Sequence, residues 1–166
     1  GSPDSGLFEG RRKNDPFAGA FDFVLPGYNV RPLEISGAIG IHQLKKLPMI
    51  IKERRANASA FQLLMADHPK FTIQHEISQS SWFGFSLVLR EHLKGQRENV
   101  VKKLKAMGFE CRPIVAGNFL NNKVIDYFNF EIHGELENAE YIDKNGLFVG
   151  NQHYPIMNAI KCLADF

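Results

Sequence analysis

Two arginines, two asparagines and one histidine are the side chains of this sequence best suited to holding a polar, anionic ligand. Arg112 opens the run Arg112-Pro113-Ile114-Val115-Ala116-Gly117-Asn118-Phe119. A guanidinium presents paired N–H donors that match a diphosphate or neighbouring sugar hydroxyls. Asn118 adds an amide to the same run; the plainer reading of the pair is a strand-edge arginine and a loop asparagine. His153 lies in Gly150-Asn151-Gln152-His153-Tyr154, where its plainer reading is an exposed loop histidine. Asn29 and Arg31 belong to Pro26-Gly27-Tyr28-Asn29-Val30-Arg31-Pro32. An amide suits a phosphate oxygen without adding charge, while Gly-Tyr-Asn is equally good turn chemistry. Arg31 either faces a site or ties the turn through backbone carbonyls. Glu34 fits the first turn of a helix, where an acid meets the helix dipole. His42, His68, His75, His92 and His133 show no partner spacing and read as structural or solvated. No Ser-His-Asp set and no glycine-rich phosphate loop stands out. Cys111 and Cys162 have no CxxC or histidine spacing, so no metal motif is visible. Both read as buried thiols in a reducing cytosol.

The elements that position these residues follow from apolar spacing. Residues 1–26, rich in Gly, Pro, Asp and charge, read as an irregular arm. Pro32 suits the first position of a helix. Leu33, Ile35, Ala38, Ile39 and Leu44 then follow near-helical spacing, with Gly37 and Gly40 on one side. Pro48 is expected to break or kink this helix and start a second. The second carries Ile50, Ala58, Phe61 and Leu64 on one face and ends at Asp67-His68-Pro69. Strands are expected over 71–77 and 82–90, the latter with Phe83, Phe85, Leu87 and Leu89 on one face. A helix over 96–107 points Val100, Val101, Leu104 and Met107 inward and stops at Gly108. A strand over 109–115, a short helix over 121–128, a helix capped by Asn138 and stopped by Gly146, a strand over 147–149 and a helix opened by Pro155 complete the chain. The expected organisation is an irregular arm (1–26), linking helices (27–67) and a small α+β domain (68–166), with a mainly antiparallel sheet covered by helices.

Composition narrows the function. The 166 residues carry a net charge of +2, with 44% apolar and 23% charged residues, ordinary values for a globular chain. That balance gives no reason to expect nucleic acid, and the basic runs at Lys52 to Arg55 and Lys102 to Lys105 fall on solvated helix faces. No stretch is long and apolar enough to cross a bilayer and no signal peptide opens the chain, so the expected location is the cytoplasm, away from membranes.

The stretch Pro26-Gly27-Tyr28-Asn29-Val30-Arg31-Pro32-Leu33-Glu34-Ile35-Ser36-Gly37-Ala38-Ile39-Gly40-Ile41-His42-Gln43-Leu44 resembles one in the DegT/DnrJ/EryC1/StrS family of sugar aminotransferases and dehydratases. There it follows the cofactor-binding large domain and leads into the small C-terminal domain. The resemblance runs over roughly residues 8–166. It implies the C-terminal small domain of a fold-type-I transferase that uses pyridoxal phosphate or pyridoxamine phosphate, a nucleotide-sugar substrate and a homodimer. It implies that Asn29 reaches across the dimer to the phosphate of the partner subunit's cofactor, and that Arg31, Arg112, Asn118 and His153 stand on the substrate side. The family's ring-stacking aromatic, ring-nitrogen acid and Schiff-base lysine, or the histidine that replaces it in the 3-dehydratases, all precede this stretch. No lysine here matches the Schiff-base motif, so no catalytic residue is expected in this chain and the chain alone is expected to be inert.

Arg112 to Phe119, together with Asn138-Ala139-Glu140-Tyr141-Ile142 and Gly146 to Asn151, resembles the nucleotide-sugar 3-dehydratase branch more than the aminotransferases. The reading is therefore an enzyme part that acts on a nucleotide-linked 4-keto-6-deoxy sugar, a 3-dehydratase before a 4-aminotransferase. Outside the family, a non-catalytic binding or assembly module remains; the glycine-bearing helix and 14 phenylalanines suit a buried dimer surface, but no exposed aromatic-plus-basic sheet pattern suggests RNA.

Overall fold

The computed structural model describes residues 17, 25–27 and 33–166. Its regular elements are α1 (Glu34–Met65), β1 (Phe71–Ile73), β2 (Gly84–Leu89), α2 (Arg97–Ala106), β3 (Cys111–Arg112), α3 (Glu137–Asn145), β4 (Gly146–Gly150) and α4 (Met157–Ala164). Single turns of 3-10 helix span Glu91–Leu93, Phe119–Asn121 and Lys123–Tyr127. The strands form one sheet in the order β1-β2-β4-β3, mainly antiparallel, so the α+β class stands as expected. The chain divides into two compact units: the described residues of Gly1–Gly27 with Val88–Phe148, and those of Tyr28–Leu87 with Val149–Phe166.

In the second unit, the C-terminal half of α1 makes the core. Phe61 is 0% exposed. Its ring stacks on Phe85 with centroids 4.2 Å apart and meets Trp82 edge-on at 6.2 Å. Ala58, Met65, Phe71, Leu87, Val149, Ile160 and Leu163 complete this core. β2 alternates as a half-buried strand should, with Phe85, Leu87 and Leu89 inward. Phe83, expected to share that face, is 73% exposed. Trp82 adopts a φ of 49°, which breaks the strand register before Gly84. The buried indole fills the core position that the alternation assigned to Phe83.

The break expected at Pro48 does not occur: α1 is a single helix of 32 residues with Pro48 inside it. An interior proline removes one amide donor and crowds the carbonyl four residues back. Pro48 and Leu44 are exposed, so water can reach the carbonyl left without its donor. The apolar residues of the N-terminal half, among them Ile35, Ile39, Ile41, Leu44 and Leu47, are also exposed. An added Cβ at Gly37 or Gly40 would meet nothing within 4 Å. Pro32 lies outside the described residues.

In the first unit, α2 buries Val100, Val101 and Leu104, while Met107 stays exposed. The stop at Gly108 is as expected. Its φ of 91° places it in the left-handed region that favours glycine. Phe109 N donates to Leu104 O (3.0 Å) and Gly108 N to Lys105 O (3.0 Å), the two bonds of a Schellman ending. α3 ends at Gly146 as expected, but its N-cap is Leu136 and Asn138 lies within the first turn. The strand expected over 109–115 shrinks to Cys111–Arg112; beyond Pro113, Val115 and Gly117 both have positive φ and turn the chain. The helix expected over 121–128 is a 3-10 turn over Lys123–Tyr127. Cys111 is buried, and burial pushes its thiol up to about 11. Cys162, expected buried, is exposed, because α4 turns Ile160 and Leu163 inward instead.

Phe61→Ala removes the ring that both Trp82 and Phe85 pack against. It should cost about 3–5 kcal/mol of stability, read as a lowered urea midpoint with the slope unchanged.

Candidate functional site

The segment after β3 is held by side chains of α3. Asn118 is buried at its base. Its amide nitrogen donates to Glu140 Oε2 (2.9 Å), and its oxygen accepts from Leu120 N (3.3 Å), capping the Phe119–Asn121 turn. Asn121 Nδ2 donates to Glu140 Oε2 (3.1 Å) and to Asp143 Oδ2 (2.8 Å). Asn122 is wholly buried, with its amide directed at Ala116 O (3.3 Å) and Phe119 O (3.4 Å). Gly117 passes so close to Asp143 that an added Cβ would stand 1.8 Å from its Oδ1, at a φ of 59°. The loop is thus a fixed shape fastened to a helix.

The sequence singles out Asn118 from this group and passes over Asn121, Asn122 and Asp143. The available signal was the consecutive pair Asn121-Asn122, since adjacent amides in a helix-breaking stretch suit local backbone bonding. Lys144 Nζ pairs with Glu140 Oε1 at 2.7 Å. Lys144, then the amides of Asn118 and Asn121, hold the Glu140 carboxyl down from 4.5 to about 2. Arg97 is buried and donates to Asp143 O and, at 3.5 Å, to Gly146 O, so its charge meets the carbonyl end of α3.

Arg112 is exposed on β3 and pairs with Glu110 Oε1 through Nε (2.9 Å) and Nη2 (2.5 Å). A solvent-exposed pair of this kind is worth at most about 1 kcal/mol, so it holds the guanidinium only weakly. Arg112 and Asn118 belong to the first unit. His153 belongs to the second, where it is exposed after β4 and meets the Tyr154 ring edge-on at 5.4 Å. Asn29 and Arg31 lie outside the described residues. In a cavity of about 150 Å³ lined by Arg55, Gln62, Glu76 and Trp82, Arg55 donates to Ser80 O and Gln79 O, and Glu76 accepts from Ser80 N.

Covalent attachment of a carbonyl cofactor as a Schiff base needs a lysine amine in a desolvated cleft. The described lysines are exposed, except Lys70, which is half-buried against the Phe166 ring. No described lysine amine lies in such a cleft. Among them there is no cluster of three His, Cys, Asp or Glu suited to a metal ion, and no helix long and apolar enough to cross a membrane.

Because Glu140 titrates lower when folded than when unfolded, its stabilising contribution is complete above about pH 4.5 and disappears as the pH falls toward 2. Glu140→Gln should cost about 1 kcal/mol at pH 7, discounted for the partial exposure of the pair. The difference from wild type should shrink at pH 3, as read by urea unfolding at both values.

Comparison with known proteins gives the setting of these loops. The DegT/DnrJ/EryC1/StrS aminotransferase family matches residues 8–157. GDP-4-keto-6-deoxy-D-mannose 3-dehydratase of Yersinia pseudotuberculosis is 55% identical over 162 residues, 97% of this chain and 41% of that protein. The enzyme of the same name from Escherichia coli O55:H7 is 49% identical over 98% of this chain and 42% of its own length. The chain thus spans about two fifths of the curated relatives it matches. The solved E. coli GDP-4-keto-6-deoxy-D-mannose-3-dehydratase with bound hydrated PLP superposes with a TM-score of 0.77 at 52% identity, covering 92% of this chain and 39% of that one. Helicobacter pylori PseC, an aminotransferase 20% identical, shares the fold with a TM-score of 0.66 over 84% of this chain and 37% of its own. With residues 8–157 of this chain matched by the family and the small antiparallel sheet and helices shared with solved members, this chain belongs to the DegT/DnrJ/EryC1/StrS aminotransferase family.

Proposed function

We propose that the protein to which this chain belongs is a cytoplasmic, homodimeric 3-dehydratase. Its substrate is a GDP-linked 4-keto-6-deoxyhexose, its cofactor is pyridoxal or pyridoxamine phosphate, and this chain is the small domain, inactive alone. The observation that carries the reading is the 55% identity to a GDP-4-keto-6-deoxy-D-mannose 3-dehydratase across 97% of the chain. A 4-aminotransferase of the same family is the second reading. It is favoured by 35% identity over 68 residues to a Helicobacter pylori sugar-nucleotide transaminase, which covers 41% of the chain. The longer and closer match outweighs it.

When bound, the cofactor supplies an electron sink beside the sugar carbonyl. No described lysine amine lies in a desolvated cleft to attach it, so the part of the described residues is substrate placement. Arg112 exchanges its exposed Glu110 partner for the diphosphate, whose paired oxygens fit a guanidinium. Asn118, bonded to Glu140 and Leu120, contributes by fixing the loop that Arg112 enters. His153 and Arg31 meet the sugar side. Asn29 hydrogen-bonds the phosphate of the partner subunit's cofactor. Replacing the 3-hydroxyl by hydrogen is a two-electron reduction of the sugar. Glutamate is the reductant, leaving as 2-oxoglutarate with its nitrogen released rather than retained on the sugar.

The test supplies the whole protein with GDP-4-keto-6-deoxymannose, cofactor and glutamate, then weighs the sugar. A product lighter by one oxygen that keeps its carbonyl is expected, with free ammonia. A 4-amino sugar would establish the aminotransferase reading instead. Asn29→Ala in the whole protein should weaken cofactor retention by about 1–3 kcal/mol, the cost of an unpaired buried partner, measured by dialysis against cofactor-free buffer. Unchanged retention would remove Asn29 from the site.

A further inference from the structure

The loop that follows β4 is gripped from within by two side-chain amides. Asn57, on the buried half of α1, is 5% exposed, and Asn151, at the end of β4, is 8% exposed. Asn57 Nδ2 faces Tyr154 O (2.8 Å), Gln152 O (3.2 Å) and Asn151 Oδ1 (3.2 Å), while its Oδ1 accepts from Ile156 N (3.2 Å). Asn151 Nδ2 donates to Arg54 O (2.9 Å) and Trp82 O (3.1 Å), and its Oδ1 accepts from Gln152 N (2.8 Å). All these groups belong to one compact unit.

A buried amide inside a helix is a costly choice for packing alone. Asparagine is a poorer helix former than alanine, and an amide taken from water must be repaid by hydrogen bonds. Here the repayment comes from the backbone of Gln152, Tyr154 and Ile156 and from the Asn151 side chain. The outward side chains of the same segment, Gln152, His153, Tyr154 and Pro155, are all exposed. A loop fastened on its inner side by buried bonds, with a histidine and a tyrosine in edge contact on its outer side, is a preformed display of polar, planar groups. Such support behind a contact surface reduces the ordering cost of binding.

We propose that Asn57 is a positioning residue. Through Asn151 it holds the backbone of residues 152–156 in the shape that presents His153 and Tyr154 to the nucleotide sugar. The proposal rests on the functional reading above, but its loop component can be measured without that reading.

The experiment uses the whole protein with Asn57→Asp, which matches the shape and keeps the acceptor for Ile156 while losing the donors. Asn57→Ser serves if the buried carboxylate prevents folding, and Phe61→Leu is the control that loosens the same core without touching the loop. Hydrogen exchange of the Gln152 amide should speed about tenfold in both Asn57 variants, and of the Ile156 amide in Asn57→Ser, while α4 exchanges no faster than in Phe61→Leu. KM for the nucleotide sugar should rise about tenfold with kcat within about threefold of wild type, and Phe61→Leu should leave KM in place. Unchanged loop exchange, a loosened loop with unchanged KM, or an equal KM rise in Phe61→Leu would each overturn the proposal. If the wild-type protein shows no 3-dehydratase activity, the functional reading fails by itself. The positioning role is then decided by calorimetry with GDP-mannose: about tenfold weaker binding in Asn57→Ser supports it, and equal binding, or none in wild type, refutes it.

Discussion

A backbone N–H or C=O taken out of water has to find a partner, and among the described residues the sheet supplies partners over short distances only. The four strands run three, six, two and five residues. The segments between them are long, so much of the backbone that packs against the core has no ladder to pair with. Side-chain amides fill that role. Asn57, Asn118, Asn122, Asn145 and Asn151 are all buried, and each is bonded to backbone in its own unit. Asn145, for example, accepts from Gly95 N at 2.8 Å and donates to Tyr141 O at 3.0 Å. Removing one such amide exposes several orphaned groups at once, which is why these positions govern loop shape more than they add to core volume.

The core is correspondingly concentrated. Phe61 makes aromatic contacts with both Trp82 and Phe85, and one half of a single long helix supplies it. The other half of α1 presents isoleucines and leucines to solvent. A helix that is apolar on its exposed side is suited to burial against a further surface. The curated relatives are more than twice as long as this chain. An added Cβ at Gly37 or Gly40 would meet nothing within 4 Å, so within this chain the two glycines carry their helix-propensity cost without a packing return.

Periodicity and punctuation made part of this legible in the sequence. Val100, Val101 and Leu104 mark α2, and Gly108 marks its end, because a left-handed residue there has one obvious candidate. Ile160 and Leu163 mark α4 for the same reason. The failures have local causes. Alternation alone assigns Phe83 to the core, but a positive φ at Trp82 changes which aromatic faces inward. Proline statistics end α1 at Pro48, but exposure makes the lost hydrogen bond tolerable there. Residue type picks out Arg112, Asn118 and His153 as ligand groups, yet type cannot show that the Asn118 amide is already bonded to Glu140. Nor can it show that Asn57, inside a helix and far away in sequence, stands behind His153. The family resemblance was legible because it rests on a long run of particular residues, whereas the supports behind the loops depend on contacts across many tens of residues.

Both candidate loops use the same construction with different chemistry. After β3, the loop is tied to α3 by carboxylates, Glu140 and Asp143, that receive amide donors. After β4, the loop is tied to α1 by neutral amides alone. The carboxylate tie is strong while ionised, since charged hydrogen bonds exceed neutral ones, and its Glu140 component is lost as acid protonates the carboxyl toward pH 2. The amide tie has no group that titrates in that range. Acid therefore acts on the two loops unequally: the segment bearing Asn118 loosens through its own chemistry as the pH falls toward 2, while the segment bearing His153 keeps its shape until the core around Phe61 gives way.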